Sequence, residues 1–364
     1  MNIALARREF GAGGGAELYL QRLIGALRDK GHEVVLVTAD AKAKPEGVEV
    51  RRVPLFGSRS ARIAQFDAGV QTVLASKPVD CLFSLERLSR QDVLRAGDGV
   101  HASWMEQRRR FSPAWKRWLV GRGAFHRAMM DLETRAYSPA NTRHLIINSE
   151  MVARDVRARF GFPDERVHMV RNGVELERWQ RGDREAQRAK WGLRPDEFLL
   201  LFAGSGWERK GLPFVIAALE KISDSSLKLV VAGKGRSPRN APSGVRFVGP
   251  MADLENAYAA ADLFVFPPVY EPSANVVFEA LAAGLPVVTS ACNGAAEVIE
   301  EGINGTVVTA PSDIEALVDA IQSWRACPNA RPVPVKADLS LERNVRETLA
   351  VLELAAAERA AEER

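Results

Sequence analysis

Short apolar runs rich in β-branched residues alternate with helical stretches along almost the whole chain, and the alternation starts twice. The first block has strands at Asn2–Ala6, His32–Thr38, Val48–Val53, Asp80–Ser84 and His144–Asn148, with a helix near Ala16–Lys30 closed by Gly31. After about residue 180 the pattern restarts with strands at Glu197–Ala203, Leu227–Ala232, Val245–Val248, Leu263–Phe266 and Val287–Ser290. Helices fall at Gly211–Ile222, Leu254–Ala260 and Asn275–Ala283. Continuous apolar strands separated by helices predict parallel sheets covered on both faces. The expected architecture is α/β, with two doubly wound, Rossmann-like domains. The boundaries read as 1–178, 179–340 and a closing surface helix over 341–364, expected to pack back toward the first domain.

A length of 364 residues suits two cores rather than one. Cys81, Cys292 and Cys327 are too widely spaced for a disulfide framework or a zinc site. Only a five-residue apolar run precedes Arg7 and Arg8, too short for a secretory leader, and no run is long enough to span a bilayer. A cytoplasmic protein, soluble or peripheral on a membrane, is therefore expected. Charge is uneven: residues 1–180 hold 30 Lys+Arg against 21 Asp+Glu (+9), which leaves 20 against 25 (−5) for the rest. One half is thus suited to an anionic partner.

In the second half, GSGWERKG (204–211) directly follows a strand. Small residues allow a tight turn, and Arg209 and Lys210 together make a diphosphate clamp beside helix N–H groups. A solvated basic pair capping a turn is the plainer alternative. Glu271 and Glu279 stand eight apart in YEPSANVVFEALAAGLPVV. Glu271 belongs to a loop at the carboxyl edge of the sheet, Ser273 is a plausible N-cap, and the amides of Ser273 to Val276 could receive an anion. Glu279 faces inward among apolar neighbours, where sugar or ribose hydroxyls would stabilise its carboxylate; a structural pair between loops would serve equally.

The glycine loop, Arg-Lys, E-x7-E, G-x-P-V-V and N-G-x-x-E, in this order, resemble the retaining glycosyltransferases of family 4. The resemblance covers nearly the whole chain. It implies the GT-B arrangement of two facing Rossmann-like domains with a cleft between them. It also implies diphosphate contacts from Arg209 and Lys210, sugar contacts from Glu271, ribose contacts from Glu279, and amide contacts from Ser273, Ala274 and Asn275. Ala274 stands where many members have glycine. Asn293, Gly294 and Glu297 match a region that lies near the cleft in the family, although a plain helix cap explains them as well.

In the first half, Gly11, Gly13, Gly14 and Gly15 form FGAGGGAE between the first strand and helix. They let backbone N–H groups approach a phosphate. The spacing is not the dinucleotide fingerprint, and no acid ends the second strand, which weighs against hydride transfer. By resemblance this loop and Gly204 face the donor, and Glu17 fits the family pattern. Asp98 and His101, in AGDGVHAS, are candidates for the reacting centre, with ordinary turn chemistry as the alternative. The other histidines, His126 among them, carry no role on this reading.

Residues 101–130 hold Arg108, Arg109, Arg110, Lys116, Arg117, Arg122 and Arg127 against Glu106 alone among nearby acids, with Trp104, Trp115 and Trp118 interleaved. Cations and indoles together suit an anionic membrane surface; a solvated helix face with core tryptophans is the alternative, and nucleic acid is disfavoured. This insert and the FGAGGGAE start resemble family members that act on heptose in lipopolysaccharide core. The expected reaction moves a hexose, glucose by resemblance, from a UDP-sugar to a lipid-linked glycan, by a monomer on the inner face of the cytoplasmic membrane. UDP-galactose, UDP-N-acetylglucosamine and GDP-sugars stay open as donors. No Asp-x-Asp occurs, so no metal is expected. An epimerase, a pyridoxal-dependent phosphorylase and a non-catalytic membrane scaffold are the rival classes.

Overall fold

The computed structural model describes all residues except 12–14, 42–44, 46, 238–240, 328–330 and 363–364, and the side chains of 15–18 also lie outside it. The chain divides into two compact units: Met1–Arg171 with Glu342–Arg364, and Asn172–Leu341. The first division thus falls seven residues ahead of the boundary expected after residue 178.

The first unit is built on seven parallel strands: β1 (Asn2–Ala6), β2 (Glu33–Thr38), β3 (Glu49–Arg52), β4 (Cys81–Ser84), β5 (Gln91–Arg95), β6 (Thr142–Ile147) and β7 (Val167–Met169). Their order is β3-β2-β1-β4-β5-β6-β7. Ala4 in β1 lies opposite Val35 on one side and Leu82 on the other, which sets the register of the sheet centre. The second unit repeats the plan with β8 (Phe198–Ala203), β9 (Leu227–Ala232), β10 (Val245–Gly249), β11 (Leu263–Phe266), β12 (Val287–Ser290) and β13 (Gly305–Val308). Its order is β10-β9-β8-β11-β12-β13. In each sheet the strand order reverses beside the first strand, at β1/β4 and at β8/β11. Ligands of doubly wound sheets bind at the carboxyl ends beside that reversal. The β8 and β11 loops, 204–211 and 267–274, are therefore where topology places a site.

Strands β8, β9 and β11 are buried along almost their whole length, since helices cover both faces. Within these two sheets β5, β7 and β13 were not read from sequence, nor was the small pair of strands Glu9–Phe10 and Asp40–Ala41. Each is short, and β5 opens on polar Gln91 and Asp92.

The helices that matter for the sites are α1 (Gly15–Asp29), α2 (Arg59–Ser76), α3 (His101–Arg110), α4 (Ala124–Ala136), α5 (Glu150–Phe160), the single turn α6 (Trp207–Lys210), α7 (Leu212–Ile222), α8 (Leu254–Ala260), α9 (Asn275–Ala282), α10 (Ile314–Arg325) and α11 (Leu341–Glu362). Their ends follow local chemistry. Gly31 takes φ +79° just past α1, Ser58 Oγ accepts from the Ala61 amide at the start of α2, and Gly161 closes α5 in the left-handed region. Helix α11 buries Val345, Leu349, Leu352 and Ala356, a stripe at helical spacing. It is held to the first unit by Thr348 with the Tyr19 hydroxyl at 3.2 Å, by Glu353 with Lys30, by Glu358 with His144, and by Arg359 with Asp92.

Candidate active site

The loop after β8 turns by means of its glycines. Gly211, at φ +83°, carries the chain from α6 into α7, and a Cβ there would lie 1.8 Å from the Pro267 carbonyl oxygen. Gly233, after β9, approaches so closely that its Cβ would sit 2.1 Å from the Gly204 oxygen. Only glycine permits both contacts. The result brings three strand ends together, those of β8, β9 and β11, and presents Arg209 and Lys210 to the β11 loop.

There both cations meet one carboxylate. Arg209 Nη1 lies 2.9 Å from Glu271 Oε2 and 3.3 Å from the Tyr270 carbonyl oxygen, and Lys210 Nζ donates to the same Glu271 oxygen. Glu271 is itself fixed through its backbone: its amide donates to the Cys292 carbonyl at 2.9 Å, and its carbonyl accepts from Gly294 at 2.8 Å. Burial pulls the Lys210 ammonium below its ordinary pKa, and Glu271 opposes that shift. Two cations against one carboxylate leave this cluster with a net positive charge, as an anion-binding site requires.

Helix α9 starts beside this cluster, but not as expected. Its N-cap is Ala274, and Ser273 does not cap it. Among the described residues no side chain caps α9; Asn293 Oδ1 accepts from the amide of Ala274, the N-cap residue itself, at 3.3 Å and from Ala295 at 3.1 Å, the latter capping the short helix Gly294–Val298. The Ala274 amide is thus already engaged. The Ser273 hydroxyl is left buried with no partner among the described residues. Asn172, which carried no signal in the sequence, donates to the Ser273 carbonyl at 3.0 Å and to Asn275 Oδ1 at 2.7 Å, and so fixes the entry to the helix.

Glu279 sits one turn into α9. The Tyr258 hydroxyl donates to it at 2.9 Å, a partner from α8 that the sequence reading missed. Solvent still reaches Glu279, yet protein packs densely around its carboxyl, and burial pushes its pKa up to about 7 against the Tyr258 hydrogen bond and the nearby charge of Arg178. A carboxylate poised to ionise gains from any further hydroxyl donor.

On the first unit, His101 is the first residue of α3, following the turn that holds Asp98. Asp98 is exposed. Glu133, buried on α4, accepts from the amides of His101 at 2.6 Å and Ala102 at 3.1 Å and pairs with Arg87 at 2.9 Å. A carboxylate at a helix start satisfies otherwise unpaired amides, and here it anchors the Asp98–His101 turn. His101 Nε2 lies 3.0 Å from His126 Nδ1, the two rings stacked at 5.2 Å. Neither Glu133 nor His126 was found from sequence, because each lies on a helix distant along the chain.

Two family models match the chain: "Glycosyltransferase Family 4" over residues 13–178 and "Glycosyl transferases group 1" over 197–325. The lipopolysaccharide glucosyltransferase WaaG of Escherichia coli K12 is 27% identical over 327 residues, 85% of either chain. The crystal structure of WaaG superposes with a TM-score of 0.77 at 24% identity, covering 98% of each chain. The chain belongs to the family 4 glycosyltransferases. Anabaena HepE, solved with UDP-glucose, shares the fold at a TM-score of 0.70 and 18% identity, with 99% of this chain and 100% of that one covered. The fold is therefore the GT-B fold.

In this glycosyltransferase the structure brings Arg209, Lys210 and Glu271 into direct contact, and sets Ser273, Ala274, Asn275 and Glu279 along one helix start. Asn293 and Gly294 reach Glu271 and Ala274 from the β12 loop. Gly13 and Gly14 lie outside the described residues, Gly15 opens α1, and nothing is described of the Glu17 side chain. Among the described residues no group of three or more His, Cys, Asp or Glu is placed to hold a metal, and no helix is long and apolar enough to cross a membrane. Of the basic segment, Trp115 is 67% and Trp118 60% exposed, so these two are not core tryptophans, whereas Trp104 is half-buried. Lys116 lies over the Trp115 ring at 4.8 Å, and Arg122 over Trp118 at 5.5 Å. Arg108, Arg109, Arg110 and Arg117 are exposed beside them, together with Leu119, an apolar residue that the sequence reading left out.

Proposed function

We propose that this glycosyltransferase moves a hexose, glucose by preference, from a UDP-sugar to a lipid-linked glycan of the lipopolysaccharide inner-core kind, with retention at the anomeric carbon and without a metal ion. The observation that carries this reading is the convergence of Arg209 and Lys210 on Glu271 at the carboxyl edge of β8 and β11. An arriving diphosphate competes for the two cations, and Glu271 is then released toward sugar hydroxyls. As the bond from C1 to the β-phosphate oxygen breaks, guanidinium and ammonium stabilise the charge left on the diphosphate, with the α9 start beside them. The acceptor oxygen bonds to C1 from the same face, and its proton passes to the departing phosphate oxygen. Glu279 takes the ribose hydroxyls. Asp98 and His101 are the proposed acceptor-side groups.

The likeness to WaaG and to HepE, whose structure was solved with UDP-glucose, supports a UDP-hexose donor. The exposed indoles among arginines support a peripheral place on an anionic membrane, the inner face of the cytoplasmic membrane in this proposal. The test is transfer from UDP-glucose labelled at C1, read by the anomeric coupling of the product. Retained configuration, undiminished by a chelator, is expected. An inverted product or loss of turnover with EDTA overturns the reading.

A further inference from the structure

The first unit carries a second cationic cluster, of which the chemistry above uses His101 alone. Arg59 opens α2, His101 opens α3, and Phe125 and His126 lie in the first turn of α4. These three helix starts meet through their side chains. The Arg59 guanidinium lies 4.6 Å over the Phe125 ring, Phe125 meets His126 edge-on at 5.3 Å, and His126 bonds His101. Arg59 is exposed and has no acidic partner among the described residues, and neither has Arg108, the other guanidinium beside His126. The only carboxylate buried in the cluster, Glu133, is committed to Arg87 and to the α3 amides. With Nδ1 of His126 engaged by His101, its other ring nitrogen, Nε2, has no partner among the described residues.

We infer that Arg59 and His126 form an oxyanion subsite on the first unit, which takes a phosphate or carboxylate carried by the acceptor glycan. The inference deepens the proposed transferase reading and rests on it. The guanidiniums of Arg59 and Arg108 are the charges beside His126, and the Phe125 ring holds Arg59 in place. The surrounding charge is consistent with this. Burial and the nearby cations hold both histidines below their ordinary pKa, His101 at about 4. The groups facing them are Arg59 on α2, Arg108 on α3, Arg87 after β4, Glu133 on α4 and Asp98 in the preceding turn. A bound oxyanion reverses that field at His126.

The experiment titrates the whole protein with inorganic phosphate while the histidine ring resonances are followed by NMR. The His126 pKa is expected to rise by about one unit, as a nearby opposite charge produces. Arg59→Gln should abolish the rise, and Arg59→Lys should keep part of it. A separate arm replaces phosphate with vesicles of anionic phospholipid. A response to vesicles but not to phosphate or a soluble sugar phosphate assigns the cluster to lipid headgroups and overturns the acceptor subsite. So does a phosphate response that is equal in Arg59→Gln. Thermal stabilisation by UDP is measured in the same samples: if it persists while His126 stays silent, the subsite alone fails, and if it is absent, the transferase reading fails with it.

Discussion

Arg209 and Lys210 share one carboxylate, so removing either leaves Glu271 with a single partner and the diphosphate with a single cation. Arg209→Ala and Lys210→Ala should each lower kcat by about 10²-fold or more, by analogy with the loss of one oxyanion donor, and turnover near wild type in both would refute the clamp. Glu279 offers a test with two opposite signs. Its folded pKa of about 7 lies above the ordinary carboxyl value, so folding binds a proton that the unfolded chain has released. Its cost to stability is therefore absent at acid pH, grows as pH rises from the unfolded pKa toward 7, and is full above that. Glu279→Gln keeps an acceptor for the Tyr258 hydroxyl and should raise Tm at pH 8, by no more than about 3 kcal/mol of stability. The same change should weaken UDP binding, whereas in the wild type UDP affinity should fall as the pH is lowered through 7. Calorimetry at pH 6 and 8 checks both; a variant that is no more stable at pH 8 contradicts the buried-carboxylate account. Glu279 was legible because a carboxylate among Val, Phe and Ala needs a partner, and Glu271 because it follows a strand and two prolines at the sheet's carboxyl edge. Tyr258, Asn172 and His126 were not, because nothing local in their surroundings marks the contact each makes with a distant helix.

At the scale of the element, strands buried on both faces were plain in the sequence, and β9, β11 and β12 begin and end where their apolar runs do. Strand β5 escaped notice because its first residues are polar and satisfied in place. Gln91 donates to Thr142 Oγ1 at 2.7 Å, and Asp92 accepts from the Leu82 amide at 2.8 Å. The start of α9 differs from the reading for a related reason: Ser273 has the composition of a cap, but the helix starts one residue later at Ala274, whose amide Asn293 engages from another loop. For the basic segment, the exposure of Trp115 and Trp118 removes the core reading of these two tryptophans and leaves a surface role to test. Trp115→Ala with Trp118→Ala should abolish co-sedimentation with anionic vesicles while leaving thermal stability within about 0.5 kcal/mol, as exposed positions do. Wild-type binding should weaken with salt. Equal binding to neutral vesicles, or a large drop in Tm, would return these indoles to a structural role.

Across the whole molecule, one strand order serves two sheets, and the order itself accounts for where Arg209, Lys210 and Glu271 gather. The first unit is assembled from both ends of the chain, with α11 supplying Leu352, fully buried among its residues. Leu352→Ala should cost about 2–5 kcal/mol and lower the melting temperature, and a Tm unchanged within error would show that the helix is not part of that core. Residues 342–364 belong to the same unit as residues 1–171, so that unit is interrupted in sequence by the whole of the other and cannot close before residues 172–341 have been made. The second unit is continuous in sequence and lies ahead of α11, so its own core can form first. A chain that lacks α11 keeps an unsealed apolar flank on the same unit that exposes Arg108, Arg109 and Arg110.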